Sequence, residues 1–251
     1  MDKVWIVARK DILEAFRSRS TYLYIIIMFV LTFSYYSTYN SQMAALVRQN
    51  APEAQMRDVS RIILNTMAYI LPMMYSIFVC SIFANYSVVV DKAKHTIESL
   101  MATPISIRQI WIGKSLAVTI PSVGIGIVVS LIAYIFLNAA FVVPKTGFFI
   151  IPNWQAIVSA FILVPILVFS IVLVVINIQL IISNPRIANL VFTVIFIILI
   201  FGVNALGALG VSINYFPFIY LAVIAICLLA SLILSRFLST ERVLLSSKDI
   251  T

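Results

Sequence analysis

Few side chains in this 251-residue chain have the types or spacing that covalent, metal or proton chemistry needs. It has one histidine, His95, and none of its nine acidic residues falls in a long apolar run. Metal-dependent and acid–base enzymes generally cluster Asp, Glu or His side chains, and ion-driven transporters usually carry such groups inside their spans. The distribution argues against a membrane enzyme and weakens the case for a secondary transporter.

One short motif suggests nucleotide binding but fails on its spacing. Gly113-Lys114-Ser115 ends like a phosphate-binding P-loop, which needs a glycine five positions before its second glycine, and Arg108 stands there. We therefore predict no ATP site in this chain, and no catalytic, cofactor-binding or metal-binding residue. The two cysteines, Cys80 and Cys227, fall in apolar runs, where packing is the expected role.

The composition predicts an all-α polytopic membrane protein. Hydrophobic residues make up 63% of the chain and charged residues 10%, a balance that soluble domains of this length do not show. A membrane-spanning helix needs about 20 largely apolar residues. We predict about six such helices in a single transmembrane domain, 1–251, at roughly 22–40, 62–90, 115–137, 156–182, 187–207 and 216–237.

The basic residues predict the orientation of these helices. With a cytosolic N-terminus, four of the seventeen Lys and Arg residues fall outside: Arg48, Arg57, Arg61 and Lys145. Short cytosolic loops collect Lys and Arg, so we expect a plasma-membrane protein with both termini in the cytosol. Attraction to anionic membrane lipids accounts for the net charge of +8, and nucleic acid need not be invoked.

Two segments outside the regular spans have patterns of their own. In residues 1–20, apolar side chains recur every three or four positions opposite a polar face, which is typical of an amphipathic helix in the membrane interface: Val4, Trp5, Ala8, Ile12, Ala15 and Phe16. Such a helix can anchor the first span and also contact a cytosolic partner. Residues 204–216 hold glycine, asparagine and proline, and we favour a short outer re-entrant piece there over a simple turn.

The segment from Asp91 to Lys114 is a basic loop between two apolar runs. We predict a helix that continues the second span, a corner, and a new helix for which Thr103 is the N-cap and Pro104 the first residue. Exposed apolar residues at this corner (Leu100, Met101 and Ile105) favour a protein contact. The alternative is a solvated hairpin on the lipid surface.

The same segment resembles the ABC-2 type permeases, the membrane subunits of a class of ATP-driven exporters. The similarity lies in the run from Thr96 to Ser106 (TIESLMATPIS), followed by Ile110 and Gly113-Lys114, which is similar to a family signature opening the third span. The start of the chain is also similar, at Ala8–Ile12 and Phe16–Arg19. Ala93 and His95 depart from the family pattern, where an acid and a glycine are common.

The resemblance implies an ABC-2 permease fold in which residues 91–112 are a cytosolic coupling loop that docks on a separate ABC ATPase. It also implies a second permease copy or paralogue, and ATP with Mg²⁺ in the partner chain. Carried over position by position, the docking residues would be Lys94, Glu98, Thr103, Pro104 and Arg108. The expected activity is export of an amphipathic or hydrophobic substrate. An autonomous channel or secondary transporter, or a membrane enzyme or scaffold, are the alternatives.

Overall fold

The computed structural model describes residues 2–17, 52–84, 87–88, 91–94, 96, 100, 102–182 and 212–238, and single positions at 26, 30, 37, 39–41, 43–45, 48, 194, 197, 198 and 202. The helices are α1 (Asp2–Arg17), α2 (Glu53–Ala84), the short α3 (Asp91–Ala93), α4 (Ile107–Leu137), α5 (Val143–Thr146), α6 (Trp154–Val158), α7 (Val164–Ile181) and α8 (Phe216–Ser235). The π-helical turns Asn138–Val142 and Ser159–Leu163 join α4 to α5 and α6 to α7, and the 3-10 turn Ile213–Tyr215 precedes α8.

The described part of the chain holds four helical stretches long and apolar enough to cross a membrane: Glu53–Ala84, Ile107–Lys145, Trp154–Ile181 and Phe216–Ser235. They correspond to the second, third, fourth and sixth predicted spans, and the all-α polytopic membrane fold is confirmed. The predicted first and fifth spans, 22–40 and 187–207, lie almost entirely outside the described residues. So do residues 204–211 of the expected re-entrant piece, while 212–216 form the 3-10 turn and the start of α8.

Several predicted boundaries were wrong, all because helix extends past the apolar run. The second span begins at Glu53, before the predicted start at 62, and its α-helix is described to Ala84. Residues 87–88 are π-helical, and 85–86 and 89–90, on which the predicted continuation to Asp91 depends, lie outside the described residues. The third begins at Ile107 and continues through a π-helical turn into α5. Much of the segment 139–155, between the predicted third and fourth spans, is therefore helical. The non-helical connection between α5 and α6 is only 147–153. Gly147 ends α5 with φ +71°, a left-handed conformation that glycine adopts without strain.

Helix α2 is the most buried of the four membrane-spanning stretches that the structure describes. It packs along α4 and also contacts α7, while α8 packs mainly on α7. Helices α2 and α4 are in close contact at Gly126, where a Cβ atom would lie 2.6 Å from the Ser76 backbone nitrogen. Small residues at a helix crossing let two backbones approach, which is how helices associate in lipid. Below, the end of the bundle where α4 begins is called the network end, and the end where α2 begins is called the distal end.

Candidate functional site

The most unusual feature of the network end is a fully buried lysine. Lys114 lies two turns into α4, and its side chain is 0% exposed. Its Nζ donates to Asp11 Oδ2 at 3.0 Å, to Asp91 Oδ2 at 2.6 Å, and to the Ser87 carbonyl oxygen. An ammonium group has three donors, and here each one has a partner. This cluster is called the ion network.

Asp11 brings the N-terminal helix into the network. It follows the buried residues Val7 and Ala8 by four and three positions, so its carboxylate lies on the same face of α1. The Ser87 hydroxyl donates to Asp11 Oδ2 at 2.7 Å. The helix can approach α4 this closely because Gly113 has no side chain: a Cβ atom there would meet the Val4 carbonyl oxygen at 3.0 Å. Gly113 thus lets α1 pack closely on α4, and the next residue, Lys114, forms an ion pair with Asp11 of α1.

Asp91 brings the loop into the network. Its Oδ1 accepts from the Thr96 hydroxyl at 2.9 Å while its Oδ2 accepts from Lys114. Burial alone would raise the pKa of Asp91, but the charge and hydrogen bond of Lys114, with smaller contributions from Thr96 and Lys10, hold that pKa below its ordinary value. The carboxyl is therefore ionised at neutral pH, and the first residue of the loop is tied to α4.

The next residue, Lys92, reaches a different helix. Its Nζ donates to the Leu180 and Ile182 carbonyl oxygens at 3.0 and 2.9 Å. The last carbonyl groups of a helix have no partner within the helix, and a lysine there also complements the negative end of the helix dipole. Burial lowers the pKa of Lys92 to about 8. Adjacent residues thus connect the loop to α4 and to the end of α7.

Four of the five predicted docking residues lie at the surface and not in this buried network. Lys94, Thr103, Pro104 and Arg108 are exposed, and Glu98 lies outside the described residues. The expected apolar corner is less exposed than predicted, since Leu100 and Ile105 are half-buried. Among the described residues from 94 to 108, the exposed ones are Lys94, Ala102, Thr103, Pro104, Ser106 and Arg108, and Met101 lies outside the described residues.

The predicted helix start at Thr103 was wrong. The N-cap of α4 is Ser106, whose hydroxyl accepts from the Gln109 backbone N–H at 3.3 Å while Gln109 Oε1 accepts from the Ser106 N–H at 3.0 Å. This reciprocal arrangement is a capping box. Thr103 instead donates its hydroxyl to the Leu100 carbonyl oxygen at 2.5 Å and closes the preceding turn. Pro104 lies before the helix, where its missing N–H costs nothing.

Sequence reasoning missed Asp11, Asp91, Lys92 and Lys114 as a set. One signal was available: an acid on the apolar face of an amphipathic helix, and a lysine at the start of an apolar run, each need a partner when buried. The pairing itself joins residues 103 positions apart. The arrangement pairs one buried lysine with two carboxylates and attaches Lys92 to backbone carbonyl oxygens, so its physical role is to connect α1, the loop, α4 and α7.

These features define a class: a multi-pass, all-α membrane protein in which a loop between two spans is anchored by a buried ion network. The chain belongs to the ABC-2 family of transporters, since the model of that family (ABC-2 family transporter protein) matches residues 5–220. The earlier resemblance is confirmed, and the chain is a permease component of an ABC transporter. A comparison with curated proteins finds no match.

Proposed function

We propose that this chain is the permease subunit of an ATP-driven exporter and that residues 91–112 are its docking loop for a separate ABC ATPase. In this proposal Lys94, Glu98, Thr103, Pro104 and Arg108 contact the ATPase, which holds the ATP and Mg²⁺. A second permease copy or paralogue completes the transporter. The substrate is an amphipathic or hydrophobic molecule that moves between the spans.

The observation that carries the proposal is the contrast between an exposed loop surface and its buried anchors. Asp91 and Lys114 lie on either side of the loop and are joined at 2.6 Å in a site closed to solvent. A force on the loop would therefore reach α1 through Asp11, α4 through Lys114 and α7 through Lys92. A solvated hairpin resting on lipid would need no such anchorage.

The excess of basic residues at the network end supports a cytosolic position for this loop and for both termini. The distal end then faces outward. The buried charges also bear on the competing ion-driven mechanism. Asp11 and Asp91 are both paired with Lys114, so neither is a free carboxylate that could carry a proton or sodium ion through the bundle.

The test is co-purification of this chain, tagged, with its cognate ABC ATPase, together with ATP hydrolysis by the complex in nanodiscs. Glu98→Lys and Pro104→Gly are expected to lose ATPase binding and stimulated hydrolysis together. The control is Lys145→Glu, a charge change of the same size and opposite sign at an exposed residue of the distal end. Survival of binding and stimulation in both loop variants would overturn the docking assignment.

A second variant separates docking from transmission. Lys92→Met keeps every proposed docking residue but removes both hydrogen bonds to the end of α7. We expect it to bind the ATPase normally and to lose most of the stimulation of hydrolysis by transport substrate. Flux through liposomes that contain this chain alone, with no ATPase, would instead favour an autonomous channel or secondary transporter.

A further inference from the structure

The distal end holds a second polar site, separate from the ion network. A cavity of about 540 Å³ there is lined by one face of α2 and by the loop after α5: Ala54, Arg57, Asp58, Arg61 and Phe148–Ile151. Its volume lies within the range of small-molecule pockets. Two arginines open onto it, and four largely apolar residues form the opposite wall.

The loop wall of this cavity is held in place by side chains from the bundle. Asn138, fully buried, donates from Nδ2 to the Ile150 carbonyl oxygen at 2.8 Å and accepts the Ile150 N–H on Oδ1 at 3.0 Å. The Tyr134 hydroxyl donates to the same carbonyl oxygen at 3.0 Å. The Asn153 N–H donates to Asn65 Oδ1 at 3.0 Å. The loop is thus built into the bundle and presents a fixed surface.

This fixed surface is aromatic and exposed. Phe148 and Phe149 are 54% and 50% exposed, and Trp154 is 71% exposed. Exposed aromatic side chains at the end of a membrane-spanning bundle mark the depth of the lipid headgroups. The Arg57 guanidinium lies 4.2 Å from the centre of the Phe148 ring, a cation–π contact. The arginines therefore lie at the level of lipid phosphates.

The two arginines differ in what already binds them. Arg57 has a loose, exposed ion pair with Glu53 at 3.4 Å. Arg61, one turn further along, is exposed and has no ion pair within the described part of the chain. With Asp58 the lining carries one net positive charge. Arginine binds phosphate through two parallel hydrogen bonds, so a phosphate group complements this lining.

A separate apolar groove lies further along α2 from this cavity and opens at the bundle surface, where Ile157 and Phe161 are exposed. It is lined on α2 by Met67, Ala68, Leu71 and Pro72, on α4 by residues including Tyr134, and on the other side by Pro152, Ala156, Ile157, Ala160 and Phe161. Arg57, Arg61, Ala68 and Pro72 are spaced by four, seven and four residues, so they share one face of α2. At 1.5 Å per residue, Ala68 lies about 10 Å deeper than Arg61.

We propose that the distal end binds one phospholipid molecule, with its phosphate on Arg57 and Arg61 and one acyl chain along the groove. The groove holds only about 70 Å³, too little for a whole drug-sized ligand but suited to a chain that enters from the surrounding lipid. This site is independent of ATPase docking. It requires only that the chain is embedded in a membrane.

The test is native mass spectrometry of the detergent-purified chain titrated with dioleoyl phosphatidylglycerol, diacylglycerol or inorganic phosphate. The phospholipid is expected to bind with a stoichiometry of one at lowest concentration. Arg57→Ala with Arg61→Ala should weaken it by about tenfold or more, the loss expected for charge-assisted hydrogen bonds. Arg48→Ala, an exposed arginine that does not line the cavity, is the matched control and should leave binding unchanged.

The groove is tested separately with Phe161→Ala, which removes an exposed wall side chain and is not expected to affect folding. It should weaken phosphatidylglycerol binding several-fold. If diacylglycerol binds as tightly as phosphatidylglycerol, the arginines do not recognise phosphate. If inorganic phosphate binds as tightly as phosphatidylglycerol, the site is one for a soluble anion. Either result, or equal losses in Arg48→Ala and the double variant, would overturn the proposal.

Discussion

Replacing Lys114 with methionine tests the ion network most directly. Asp11 Oδ2 and Asp91 Oδ2 lie 3.0 and 2.6 Å from the same nitrogen, so the two oxygens are at most 5.6 Å apart. Without the lysine, two buried carboxylates would face each other. At an effective dielectric constant of about 20, unit charges at that distance repel by about 3 kcal/mol.

Protonation limits this cost. Raising the pKa of one carboxyl from about 3.9 to 7 requires about 4 kcal/mol, at which point that group is half protonated at pH 7 and further repulsion is relieved by proton uptake. The expected loss for Lys114→Met is therefore about 3–4 kcal/mol, in line with the removal of one partner from a buried ion pair. For a chain of this length the melting temperature should fall by on the order of 10 °C.

The assay is thermal melting in detergent, followed by size-exclusion chromatography. The fall in melting temperature caused by Lys114→Met should be larger at pH 8 than at pH 5. A carboxyl whose pKa is raised in the folded state makes that state less stable as the pH rises toward the raised value. Asp91→Asn in the Lys114→Met background should recover much of the loss. Lys145→Met, which removes an exposed lysine at the distal end, is the control. A deficit no larger than the control's, or no recovery in the double variant, would refute the reasoning.

Three further predictions use the same melting assay. Gly126→Ala should lower the melting temperature sharply, because the new Cβ would lie 2.6–2.8 Å from the Ser76 backbone. The control is Gly124→Ala, which has nothing within 4 Å and should be neutral or stabilising by up to about 1 kcal/mol. Similar losses in both variants would contradict the described crossing. Gln179→Leu should stabilise by about 1 kcal/mol, because both amide atoms of this buried side chain have no hydrogen-bond partner in the described structure; stability that stays level while transport falls would place Gln179 on the translocation path. Because the folded pKa of Asp91 is lowered, its contribution is present above its unfolded value and is lost as the pH falls through the folded value. The wild-type melting temperature should thus hold from pH 7, below the pKa of Lys92, to about pH 5 and decline in stronger acid.

Hydropathy was enough to predict four of the spans that the structure describes, because a helix in lipid must be apolar over a fixed length. It could not place their ends. The distal part of α4 continues through the π-helical turn at Asn138–Val142 since its residues are apolar enough to stay helical past the bilayer core. At the other end, Ser106 with Gln109 outcompetes Thr103 for the helix start because it supplies both halves of a capping box.

The uncharged polar residues in the spans also show what the sequence predicts and what it does not. Such side chains in membrane helices commonly hydrogen-bond between helices. Asn177 does donate to the Ser231 carbonyl oxygen on α8, at 3.4 Å. Thr66 instead bonds to the Ile62 carbonyl oxygen of its own helix, and Asn138 holds a loop. Residue type identifies a need for a hydrogen bond, but only the packed bundle decides which partner satisfies it.

The ion network also sets an order of events during synthesis. Asp11 leaves the ribosome 103 residues before Lys114, which at about 5–20 residues per second is about 5–20 s. Until then Asp11 lacks its buried lysine partner, and its carboxylate must remain hydrated at the membrane surface. The first helix to be made is therefore among the later ones to take its final place. A nascent chain that stops before residue 114 would leave α1 undocked, open to soluble carboxylate reagents and proteases.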